Sequence, residues 1–213
     1  GDFADMTSLS SYDVGKKSFE GQRYVKDIDA AQRGMDLLLA PLVNFNLLKK
    51  KNKEKQYKPR LVLTLGNHEQ RIECAINNDP KLEGLISYTD LPYEKWEVHE
   101  FLSPVVIDNI AYCHYFPSGL LGRPISSASC MVSKLHMSCI AGHQQGRQVA
   151  YGKKADGTNI TCIIAGSCYE HQEGYLNKQT NNHWRGLIML NEVDNGSFDE
   201  MFVSLGYLKK KYG

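Results

Sequence analysis

Residues 61–70, LVLTLGNHEQ, pass from strand-forming aliphatics directly into polar side chains. Leu61, Val62, Leu63 and Leu65, closed by Gly66, read as a central strand of an α/β sheet, because a strand covered on both faces carries a near-continuous apolar run. Open α/β sheets bind ligands at the carboxyl ends of their strands. Asn67, His68 and Glu69 therefore stand where such a sheet would place chemistry. Glu69 is read as favouring the start of the following helix, where an acidic side chain meets the positive end of the dipole.

The 213 residues, 42% of them hydrophobic, suffice for one full core, and no clear boundary divides them, so a single domain over 1–213 is expected. A net charge of +1 gives no long-range field to draw in nucleic acid or an anionic membrane, local patches aside. Cysteines 74, 113, 130, 139, 162 and 168 never form a CxxC pair, which argues against a zinc ribbon. They read as reduced, mostly buried thiols of a cytoplasmic protein. No apolar run approaches the ~20 residues that span a bilayer, and GDFADMTSLS does not resemble a signal peptide. No membrane partner is expected.

Residues 1–22 read as loop, and 24–48 as an amphipathic helix that Pro41 kinks or divides. The lysine-rich 49–58 is a solvated linker, and 69–78 and 80–87 are weakly helical. VHEFL is a strand, and VVIDNIAYCHY is a hairpin turning at Asp108-Asn109. A helix follows near 126–136. SCIAG, RQVAYG, NITCIIAG, RGLIML and DEMFVSL are strands, with turns at Asp156-Gly157 and Asn195-Gly196. The order is α/β first and β-rich later.

Three further strand ends repeat the first pattern. GDFAD opens the chain, IAYCHY ends on His114, and CIAGH ends on His143. Asp, Asn and two His at four strand ends form an oxygen and imidazole set suited to Mn, Fe, Zn or Ni. Arg71 and Arg147 each follow such a motif closely, and their forked donors suit a phosphate. Helix salt-bridging and turn exposure are the plainer roles for the two.

Gly1-Asp2-x-x-Asp5, Gly66-Asn67-His68-Glu69, His114 after its strand and Gly142-His143 resemble the ordered motifs of the calcineurin-like metallophosphoesterases over nearly the whole chain. The segment from GDFADMTSLSSYD to AAQRGMDLLLAPL further resembles a bacterial and bacteriophage branch of that family. The resemblance implies a two-sheet β-sandwich flanked by helices, with two divalent metals about 3.5–4 Å apart. It implies that Asp2 bridges the metals and that Asn67, His114 and His143 complete the ligand set of the second metal. His68 would give a proton to the leaving oxygen, oriented by Asp5. A Gly-Ser after a strand closes the site in that family, which would bring His171 to the substrate cleft.

Two departures from the family pattern stand out. Its first Asp-x-His motif is absent, so the chain reads as N-terminally incomplete relative to the family. Its Gly-His-x-His becomes Gly142-His143-Gln144-Gln145, leaving Gln145 as a neutral and weaker first-metal ligand. The expectation is a metal-dependent phosphoester hydrolase, a phosphodiesterase in the first instance with a nuclease-like variant, binding one or two metals. The alternative is a non-catalytic, metal-binding scaffold of the same fold.

Overall fold

The computed structural model describes residues 1–173 and 181–213. The chain is mixed α/β and divides into two compact units, Gly1–Phe101 and Leu102–Gly213.

The first unit is built around one long helix, α1 (Tyr24–Lys51). It continues through Pro41 as one helix, so the proline does not divide it. Its N-terminal half carries the packing: Ala31 and Met35 are buried against Ala4, Met6, Leu65, Ile72, Leu91 and Tyr93. Strand β1 (Val62–Thr64) is shorter than the apolar run that announced it, and α2 is Arg71–Asn78. Strand β2 (Glu97–His99) pairs with β1 in parallel, Leu63 opposite Val98. Among the described residues β1 has this one neighbour rather than the two of a central strand. Pro59, just ahead of it, has no N–H to offer a ladder. Residues 80–87 form no α-helix. Pro80–Leu82 makes a 3₁₀ turn capped by Asp79, and Ser87 and Asp90 form a capping box for the next one.

The second unit opens with β3 (Val105–Ile107) and β4 (Ile110–Cys113). Asp108 and Asn109 both take left-handed φ, 50° and 60°, as the expected two-residue turn requires. Short strands β5 (Pro117–Ser118) and β6 (Arg123–Pro124) precede α3 (Ala128–Leu135), whose Ser127 caps the Cys130 N–H. Then follow β7 (Ser138–Ala141), β8 (Gln148–Lys153), β9 (Asn159–Ile164), β10 (Gly186–Asp194), β11 (Ser197–Ser204) and α4 (Leu205–Tyr212). Strands β3-β4-β7-β9-β8 form one sheet, parallel at β4-β7 and β7-β9 and antiparallel at its edges. Side chains alternate across it. Ala111, Cys113, Cys139, Ala141, Cys162 and Ile164 pack on Ala128 and Met131 of α3. Ile110 and Ile163 face the other way, against Phe198 of the antiparallel β10-β11 pair. Full burial of each such aliphatic contributes about 1.5–3 kcal/mol.

Cys113, Cys139 and Cys162 are buried in this sheet, whereas Cys74 and Cys168 are exposed and Cys130 is intermediate, so the expected burial holds for three of the six. Among the described residues no helix is long and apolar enough to cross a membrane.

Candidate functional site

In the first unit, β1 leads through Leu65 to Gly66 and a turn, 66–70, that opens α2. An added Cβ on Gly66 would lie 2.1 Å from Asp2 Oδ1 and 2.3 Å from the Asp2 nitrogen, so only glycine lets the N-terminal loop come this close. Asp2 holds a left-handed φ of 58°. Its Oδ1 accepts the His68 N–H at 3.0 Å.

His68 and Asp5 stand as the sequence expects: Nδ1 lies 2.6 Å from Asp5 Oδ1. Burial depresses the imidazole pKa, but the Asp5 hydrogen bond and the negative charge of Asp2 outweigh it, and the net direction is upward. The protonated imidazole is therefore more populated near neutrality than that of a free histidine. Asn67 sits half-buried between Gly66 and His68.

Arg71 serves the loop. Its Nη1 donates to the Asp5 carbonyl at 2.7 Å and lies 3.9 Å from Asp5 Oδ1. The helix-salt-bridge role foreseen for it is thus replaced by a tie to a chain segment remote in sequence. Asp27, in the first turn of α1, accepts from Thr7 Oγ1 and the Ser8 N–H at 3.0 and 2.9 Å, anchoring the same loop further on.

Glu69 departs from its expected role. It is 0% exposed and accepts from four main-chain N–H groups: Asp2, Phe3, Ala4 and Gly66, at 2.8–2.9 Å. The Tyr93 hydroxyl adds a fifth donor at 3.0 Å. Burial and the nearby Glu69 charge push the Tyr93 phenol well above its usual range, which keeps it a donor. A helix-opening acid would face solvent, but this carboxylate lies inside the unit with its acceptor capacity saturated. The sequence offers no signal for this, because the loop it grips is some 65 residues away.

In the second unit, His114 follows β4 and His143 follows β7. The parallel pairing of these strands, Cys113 opposite Ala141, brings their ends side by side. The Gly142 N–H donates to the His114 carbonyl at 2.9 Å. His114 is 2% exposed, and its Nε2 lies 3.2 Å from His143 Nδ1 with the rings edge-on at 73°. His143 is exposed and takes a left-handed φ of 63°. Tyr115 lies beside both imidazoles, 5.8 and 4.9 Å between ring centres. Two imidazole nitrogens facing one another can share a proton or hold one cation.

The remaining expected residues lie elsewhere in this unit. The Gln145 carbonyl accepts from Ser167 Oγ at 3.5 Å, and Gly166 crosses close above it. Arg147 is exposed, as its plainer role has it, and its guanidinium lies over Trp184 and Phe202, 4.5 and 4.3 Å from the ring centres. His171 stacks on Tyr169 at 4.2 Å, and its Nε2 is 3.1 Å from Glu173 Oε1.

No family model matches the chain, and neither does any curated protein or solved structure.

Proposed function

We propose that this chain is a metallophosphoesterase-like, metal-dependent phosphoester hydrolase acting on phosphodiesters, with nucleic acid as a candidate substrate. The observation that carries the reading is the His68–Asp5 pair at 2.6 Å, beside Asn67 at the end of β1. A scaffold has no use for an imidazole held by a carboxylate and shifted toward its protonated form. A general acid has both needs.

The donor chemistry supports a divalent ion. Metal–imidazole bonds of about 2.0–2.1 Å at tetrahedral to octahedral angles put two nitrogens about 2.9–3.4 Å apart, and His114 and His143 present theirs at 3.2 Å. In this reading His114 and His143 of the second unit hold Mn, Fe, Zn or Ni, with Gln145 a weaker further ligand, and Asp2 and Asn67 are the oxygen donors that the first unit offers. When bound, such ions neutralise phosphoester oxygens and acidify water. The chain's own part is proton delivery: His68 gives its proton to the departing oxygen while Asp5 holds the ring and stabilises its charge. Asp2 is held for its task by the His68 N–H.

Hydrolysis of a bis-aryl phosphodiester in added Mn²⁺ tests the reading. The native chain should turn over, and His68→Ala should lose about 10²–10⁴ in kcat. Inactivity on bis-aryl diesters, DNA, RNA, cyclic nucleotides and aryl monoesters alike would sink it. Activity confined to the monoesters would move the substrate class. The second reading, a non-catalytic metal-binding scaffold, draws on Gln145 standing where an imidazole would bind more tightly.

A further inference from the structure

We infer that Glu69 is a positioning residue whose carboxylate sets Asp2 and, through it, the His68 segment. The inference rests on the hydrolase reading above. Glu69 Oε2 accepts the N–H groups of Asp2 and Gly66, at 2.9 and 2.8 Å, bridging the two segments that carry the expected ligand and acid. Oε1 takes Phe3 and Ala4, at 2.8 and 2.9 Å, and the Tyr93 hydroxyl at 3.0 Å. Asp2 returns a bond the other way, its Oδ1 accepting the His68 N–H at 3.0 Å. The two segments are thus cross-tied, each through a carboxylate of one and main-chain donors of the other.

The clamp explains a backbone feature. Asp2 sits at φ 58°, a conformation that L-residues with a Cβ adopt at a penalty. Such a conformation persists when its surroundings over-determine it. Here three consecutive N–H groups, 2 to 4, are fixed by one buried anion. The arrangement needs both oxygens as acceptors. Glutamine at this position would turn an amide NH₂ toward at least one main-chain N–H, replacing attraction by repulsion while preserving shape.

The test uses Glu69→Gln, with Tyr93→Phe as the gentler variant that removes only one donor. Three readouts are taken on the full chain: amide hydrogen exchange at Phe3 and Ala4, Mn²⁺ affinity by titration calorimetry, and kcat and KM on a bis-aryl phosphodiester. Glu69→Gln should speed exchange at both amides and weaken Mn²⁺ binding about tenfold or more, the usual result of losing a group that orients a ligand. It should lower kcat more than it raises KM. Tyr93→Phe should shift all three in the same direction by less. A folded Glu69→Gln chain with native Mn²⁺ affinity and kcat overturns the inference. If Glu69→Gln does not fold, a Tyr93→Phe chain with unchanged exchange and affinity overturns it. A native chain that binds no Mn²⁺ and turns over nothing instead overturns the hydrolase reading, and this inference with it.

Discussion

Gly66 and Gly142 each precede an expected functional residue, yet their surroundings differ. A Cβ at Gly66 would overlap Asp2 at 2.1 and 2.3 Å, whereas at Gly142 the nearest atom, the His114 carbonyl oxygen, lies at 3.6 Å. Gly66→Ala should therefore displace the N-terminal loop and destabilise the chain by about 1–3 kcal/mol. Gly142→Ala should stay within about 0.5 kcal/mol of the native chain. Denaturant midpoints check both, and equal effects would contradict the account. Asp5 offers a second test at this scale. Asp5→Asn keeps the shape but removes the charge that raises the His68 pKa. We expect kcat to fall by about tenfold or more with Mn²⁺ affinity retained, because the acid loses its orienting partner and not a ligand. Unchanged kcat would remove Asp5 from the mechanism.

At the scale of elements, α1 carries a proline where a helix should not. An interior proline removes one hydrogen bond and crowds the preceding turn, at about 3 kcal/mol relative to alanine. The helix nevertheless runs from Tyr24 to Lys51. Its buried anchors, Ala31 and Met35, lie before Pro41, and Leu37, Leu38, Leu47 and Leu48 around it are exposed. Pro41→Ala should raise stability by about 1–3 kcal/mol in urea unfolding. A loss would mean that the Pro41 ring itself contributes to packing. The other elements show what patterning reveals. Alternating or continuous apolar runs marked β3, β4 and β7 through β11, and the Asp108-Asn109 and Asn195-Gly196 turns carry the left-handed φ values such turns need. Residues 80–87 were misread as α-helix because Asp79, Pro80 and Ser87 are capping and turn residues that close short 3₁₀ turns instead.

At the scale of the whole molecule, two units with separate buried clusters carry the residues of interest, and the sequence marked no boundary between them. Charged residues number 31 in 1–101 and 18 in 102–213, a difference between the halves that does not by itself place the boundary residue. Candidate site residues could be picked out where local grammar marks them: an imidazole just after an apolar strand, as at His68, His114 and His143. Residues defined by distant partners were not legible. Glu69 is explained by residues 2–4, and Arg147 by Trp184 and Phe202 on the far side of the second unit's sequence. The central claim is metal-dependent hydrolysis with His68 as acid and His143 as ligand. Its most direct test is Mn²⁺ binding measured with phosphodiester turnover for the native chain, His68→Ala and His143→Ala. The account predicts that His68→Ala binds Mn²⁺ as the native chain does but loses turnover, while His143→Ala loses both. Native binding and turnover in His143→Ala would contradict it.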